Sequence, residues 1–178
     1  FLDKFGQKVI FLISSVFLMR LLDTSDYGIM GSLLIFIAFS SLLIDSGFGR
    51  ALLNRKDISA LEYSTVFYFN LAISLFLYIA FFFSAPLIAQ LFNEPLLTPV
   101  SRVLFLSLIF NGFSLIQMIV FIKASDFKTQ TKANTAALII STSIALIMAW
   151  RGHGVWSLVA QNVIYAFFRS ILFWLYST

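Results

Sequence analysis

The sequence predicts an all-α membrane protein, a polytopic transmembrane helix bundle of about six spans, each near the ~20 residues that cross a bilayer core. Three observations carry this. Of the 178 residues, 60% are hydrophobic and only 11% charged, against roughly 45–50% and 25% in soluble domains. The mean hydropathy is +0.96. The apolar residues are also gathered into continuous runs, whereas barrel strands would alternate in short segments. A soluble enzyme, a disordered tail and a disulfide-stapled secreted domain are excluded by the same numbers.

The spans fall at approximately 1–22, 27–48, 63–83, 103–122, 133–150 and 155–176, with ends placed to within a few residues. Each break carries its own punctuation. Asp23-Thr24-Ser25-Asp26 is a tight polar turn whose Ser or Asp caps the second helix. Gly47, Gly49 and the charged run from Arg50 to Glu62 part the second and third spans. Pro86 ends or kinks the third, leaving Leu87–Phe92 as a short interfacial helix before Asn93-Glu94-Pro95. Lys123 to Lys132 is a polar linker at the headgroup level. Arg151-Gly152-His153-Gly154 is so short that the last two spans must be antiparallel neighbours. The chain begins at Phe1, without a basic leader and cleavage motif, so the expectation is a piece of a longer protein rather than a signal peptide.

Charge sets the expected orientation. Lys4, Lys8, Arg50, Arg55, Lys56, Lys123, Lys128 and Lys132 fall on one side, and only Arg20, Arg102 and Arg151 on the other. The positive-inside rule then puts both ends of this chain in the cytoplasm. The net charge of +4 is too dispersed for a nucleic-acid groove, so no nucleic acid is expected as a partner. Cysteine is absent and His153 is the sole histidine, which leaves no expected metal site and no cofactor. No carboxylate pair shares a span face as glycosyl transfer would need.

Polar residues at membrane depth mark the candidate site, because they face protein or water rather than lipid. In the first span Asp3, Lys4, Gln7, Lys8, Ser14 and Ser15 share an arc of about 140°. In the last, Gln161, Asn162, Tyr165 and Arg169 share about 100°. For both arcs a wet cavity stands beside a plainer reading: interfacial packing for the first, snorkelling for Arg169. Asn111 with Ser107 and Ser114, and Asn70 with Ser74, have the spacing of hydrogen bonds that join helices. Thr135, Ser141, Thr142 and Ser143 in the fifth span read as close packing. Asp45 has two readings, a cavity wall or a partner for Arg50.

Several segments carry a family resemblance. Arg20-Leu21-Leu22-Asp23-Thr24-Ser25-Asp26-Tyr27-Gly28 resembles the ARLL-x-x-x-DYG signature of bacterial polysaccharide flippases. Asp45-Ser46-Gly47-Phe48-Gly49 with Asn54-Arg55-Lys56-Asp57, and Ser64-Thr65-Val66-Phe67-Tyr68-Phe69-Asn70, are similar to the segments that follow. Ala85-Pro86-Leu87-Ile88-Ala89, Glu94-Pro95 and Arg102-Val103-Leu104 continue the match in order. Asp126-Phe127-Lys128 and Gly154-Val155-Trp156-Ser157-Leu158-Val159-Ala160-Gln161 complete it. Met19 stands where the signature has Ala.

The chain thus resembles the Wzx-like polysaccharide transporter family of the MOP superfamily, which also holds the MATE drug exporters, and most of all its colanic-acid-exporter-like branch. The resemblance implies an alternating-access carrier, not an enzyme. It would move an undecaprenyl-diphosphate-linked oligosaccharide across the bacterial inner membrane for O-antigen (lipopolysaccharide), capsule or exopolysaccharide synthesis. It further implies that this chain is the N-terminal lobe, with a missing C-terminal lobe, membrane lipids and a coupling ion (H+ or Na+) as partners. Lys4, Lys8 and Arg169 would meet the diphosphate, with Gln7, Asp45, Asn70, Asn111, Gln161 and Asn162 as further cavity candidates. The competing readings are a MATE-like cation exporter, whose cavity should be richer in carboxylates, a non-transporting membrane protein, and a membrane enzyme of the same pathway, which should carry large outer loops.

Overall fold

The computed structural model describes residues 2–45, 52–53 and 59–177, with the side chains of residues 2–7, 11, 45 and 60 left outside the description. Its helices are α1 (Leu2–Leu21), α2 (Thr24–Asp45), α3 (Ala60–Leu91), α4 (Leu97–Leu104), α5 (Leu106–Lys123), α6 (Phe127–Trp150) and α7 (Val155–Tyr176). Among the described residues, five segments are long and apolar enough to cross a membrane: Thr24–Ile44, Leu61–Leu91, Leu97–Lys123, Phe127–Trp150 and Val155–Tyr176. The 20-residue α1 has the length as well, but carries Asp3, Lys4, Lys8 and Arg20. The protein is a multi-pass helical membrane bundle.

Local chemistry explains the helix starts. Ser59 caps α3 through a reciprocal box: its backbone N–H donates to Glu62 Oε2 at 2.9 Å, and Glu62 N–H donates to Ser59 Oγ at 3.3 Å. Asp126 caps α6 by accepting from the Thr129 N–H at 3.1 Å. That cap places Lys128 and Lys132 on the first turns of α6, so the fifth span begins six residues before the expected 133. Hydroxyls inside α2 return to their own backbone, Ser40 Oγ donating to the Phe36 carbonyl at 2.7 Å and Ser41 Oγ to that of Ile37 at 2.8 Å. A hydroxyl satisfied this way can sit in hydrocarbon without a neighbour.

Two segments differ from the sequence reading. The third span does not stop near 83: α3 runs through Pro86 to Leu91, 32 residues in all, so Leu87–Leu91 form its last turns rather than a separate helix. The short helix is instead α4, whose Leu97, Val100 and Leu104 are wholly buried. It meets α5 at a break around Phe105 inside one continuous apolar run.

Packing follows residue size. In α6, Ala133, Ala137, Ser141, Ala145 and Ala149 recur every fourth position and are all buried. This stripe lets the α7 backbone approach closely, as small residues do in membrane bundles. The neighbours then run α1 on α6, α6 on α7, α7 on α5 and α5 on α3, with α2 against α3, α5 and α7. One core gathers Leu18, Leu22, Met30 and Leu33 with the buried face of α4, Ala145, Ala149, Val155 and Leu158. It lies at the end of the bundle that holds the α1–α2, α3–α4 and α6–α7 connections, here termed the hairpin face.

A contact across that face joins two of the sequence motifs. Asp26 Oδ1 accepts the Val155 N–H at 2.9 Å, and Oδ2 accepts the Asp23 N–H at 3.3 Å. Gly154, at the cap position of α7, has no side chain to cap with, so the carboxylate of α2 does it from 129 positions away. Gly154 has φ +54°, and a Cβ there would stand 3.1 Å from Asp26 Oδ1. Both facts call for glycine at this position.

Candidate functional site

α1, α6 and α7 form an open cavity of about 600 Å³, lined by Lys8, Leu12, Leu138, Ser141, Gln161, Asn162 and Tyr165. It exists because α1 and α7 both lean on α6, whose small residues leave no bulk to fill the cleft between them. Counting ~1.5 Å per residue, Tyr165 is about 16 Å from the end of α7, a helix long and apolar enough to cross a membrane.

Its polar groups have distinct functions. Gln161 Nε2 donates to Thr142 Oγ1 at 3.3 Å, and Asn162 Nδ2 donates to the Leu158 carbonyl at 3.1 Å. Both amides are thereby oriented through their nitrogens, which leaves their carbonyl oxygens to accept hydrogen bonds from a guest. Ser141 Oγ donates to its own helix, to the Leu138 carbonyl at 3.1 Å. Among the described residues Lys8 has no carboxylate within ion-pair distance. Among the described residues the lining therefore offers one cation, two amide acceptors, a serine, an aromatic ring and two leucines.

Of the expected site residues, Lys8, Gln161 and Asn162 come together in this cavity. Arg169 lies one turn beyond Tyr165 and reaches away to α5, donating from Nη2 to Asn111 Oδ1 at 2.8 Å and Ser114 Oγ at 3.0 Å. Asn111 is thus oriented by Arg169 and does not line the cavity. The guanidinium also stands 5.6 Å from the Tyr165 ring centroid and 5.9 Å from that of Phe173, so Tyr165 touches both the cavity and the arginine. Asn70 is 1% exposed on the α3 face toward α5, and neither end of its amide has a partner. There the helices nearly meet: a Cβ on Gly112 would clash with Ser74 Oγ and stand 3.3 Å from the Asn70 carbonyl oxygen. The side chains of Lys4, Gln7 and Asp45 lie outside the described residues, as do Arg50, Arg55 and Lys56.

The sequence reading missed the contribution of α6. Ser141 was read as packing only, and the four-residue recurrence of Ala and Ser was the signal that α6 would form the floor beneath two other helices. Asp26 was read as a local cap, with no sign of its reach to α7. Among the described residues no group of His, Cys, Asp or Glu is placed to hold a metal ion.

Fold and site define a polytopic helical membrane protein with an open, largely apolar cleft that carries a few polar side chains. The chain belongs to a family described as polysaccharide biosynthesis protein, whose model matches residues 17–178. It is 30% identical over 98 residues to the lipopolysaccharide biosynthesis protein WzxC of Escherichia coli (strain K12), covering 55% of this chain and 20% of that protein. It is 23% identical over 136 residues to the teichuronic acid biosynthesis protein TuaB of Bacillus subtilis (strain 168), covering 76% and 28%. It is 23% identical over 168 residues to the succinoglycan biosynthesis transport protein ExoT of Rhizobium meliloti (strain 1021), covering 94% and 34%. The chain therefore spans between a fifth and a third of the length of these relatives. No solved structure matches it.

Proposed function

We propose that this chain is the N-terminal lobe of an exporter of polysaccharide repeat units, and that the α1–α6–α7 cavity receives an undecaprenyl-diphosphate-linked oligosaccharide at the cytoplasmic leaflet. The observation that supports this reading is the lining itself, with Lys8, Gln161, Asn162 and Tyr165 around one space between α1, α6 and α7. A saccharide cannot cross hydrocarbon unaided, because each hydroxyl would lose its water partners. Amide oxygens replace those partners, and an aromatic face accommodates the C–H face of a sugar ring. The ammonium of Lys8 offers a diphosphate a charge-assisted contact, with Lys4 one helical turn nearer the start of α1. Rocking of this lobe against a second one would then expose the cavity to either side in turn, driven by a coupling ion.

In this reading both ends of the chain are cytoplasmic, the hairpin face is periplasmic, and the membrane is the bacterial inner membrane. Arg169 acts on the site through Tyr165 rather than by touching the substrate. The test is export by the full-length protein carrying Lys8→Gln or Asn162→Ala, with protein levels matched. A charge-assisted hydrogen bond contributes about 1.5–3 kcal/mol, so Lys8→Gln should cut substrate capture roughly tenfold or more. Wild-type export by both variants would overturn the assignment.

A further inference from the structure

α3 crosses its end region with a proline inside it, and the structure shows how that is tolerated. Pro86 has no N–H, so the carbonyl of Phe82, four residues earlier, loses its helical donor. In a bilayer no water stands ready to replace it, and an unsatisfied carbonyl there is costly. Arg102, on the last turn of α4, donates from Nε to that same Phe82 carbonyl at 3.4 Å. Its guanidinium also lies over the Phe82 ring, 4.4 Å from the centroid. The one backbone acceptor that Pro86 strands is the one that Arg102 reaches, from 20 positions along the chain.

We propose that Pro86 and Arg102 form a single unit in which Arg102 replaces the hydrogen bond that the proline removes. Arg102 is a positioning residue: it fixes the last turns of α3 against α4. Those turns form one wall of a second cavity, about 440 Å³, on the hairpin face, lined by Pro86, Ala89, Gln90, Asn93, Glu94, Pro95 and Thr98. The unit therefore sets the shape of that cavity's wall. It stands independently of the transport reading, since it rests on the contact between the Arg102 side chain of α4 and the backbone of α3.

A double-mutant cycle on the full chain in detergent tests it, read as the midpoint of thermal unfolding. Arg102→Gln should lower the midpoint by several degrees when Pro86 is present. In a Pro86→Ala background the helix regains its own N–H, and the same change should cost less than a third as much. Arg102→Lys, which keeps a donor but not the planar fork, should fall between wild type and Arg102→Gln. Phe82→Leu removes the ring and leaves the carbonyl, so it should not abolish the coupling. If Arg102→Gln fails to accumulate, recovery of folded protein in the Pro86→Ala, Arg102→Gln double variant supports the unit, and failure of both overturns it. Equal losses in the two backgrounds would likewise overturn it, leaving Arg102 with ring stacking alone.

Discussion

Replacing Asp26 by Ala removes a helix cap that belongs to a different helix. The carboxylate accepts the Val155 N–H at 2.9 Å and the Asp23 N–H at 3.3 Å. The first bond terminates α7, whose own cap residue is Gly154; the second steadies the entry to α2. Loss of a capping side chain costs about 0.5–2 kcal/mol, and favourable charge at a helix N-terminus adds about 0.3–1 kcal/mol. The longer, exposed bond to Asp23 adds little, so the expected total is about 1–3 kcal/mol. Asp26→Asn keeps an acceptor for Val155 and should lose less than half of that. Unfolding in detergent can be followed by tryptophan fluorescence, since Trp156 sits one residue past the cap. A lower midpoint for Asp26→Ala with most stability retained in Asp26→Asn is the predicted pattern. If Asp26→Ala is as stable as wild type, the cross-helix cap is not a stabilising contact.

Further outcomes follow from single positions. Gly112→Ala would drive a Cβ against Ser74, whose own Cβ lies 2.8 Å from the ideal position; it should destabilise by about 1–3 kcal/mol, and Ser74→Ala should relieve only part of that in an unfolding measurement. Asn70→Leu replaces a buried amide without partners by an apolar side chain of similar size and should be neutral or stabilising; a clear loss of stability would mean that the amide is satisfied in the membrane. The Asp126 carboxyl is held below its ordinary value of 3.8 by the hydrogen bonds from Thr129, with Lys132 and Lys128 adding to the effect. Because the folded value is the lower one, its stabilisation is present above the ordinary value and is lost as pH falls below it through the folded value. Asp126→Asn should therefore be less stable than wild type at neutral pH, and the gap should close in acid.

Apolar runs made the spans legible because hydrocarbon thickness is a length that sequence can be counted against. Their ends were less legible wherever a distant residue decides them. Pro86 reads as a stop or a kink, and only Arg102, folded back from α4, shows how α3 continues through it. The α4–α5 break at Phe105 falls within the apolar stretch Val103-Leu104-Phe105-Leu106, which carries no turn residue to mark it. Lys128, Thr129 and Lys132 look like linker until Asp126 is seen to cap them into α6. The site divides in the same way. The arcs on α1 and α7 identified Lys8, Gln161 and Asn162 because helical periodicity is local. That α1 would lie on α6, and that Arg169 would turn to Asn111, depends on which helices are neighbours, and no periodicity records that.

We propose that the space between α1, α6 and α7 holds the lipid-linked saccharide. The most direct test of this is photo-crosslinking in native membranes, with a benzophenone amino acid at Leu12 or Leu138 of the cavity lining and, as control, at Leu42, which is 75% exposed on α2. With radiolabelled sugar fed into the polysaccharide pathway, the account predicts a labelled, diphosphate-containing adduct from Leu12 and Leu138 and none from Leu42. Adducts of equal yield at all three positions, or none at the two cavity positions while export proceeds, would contradict it.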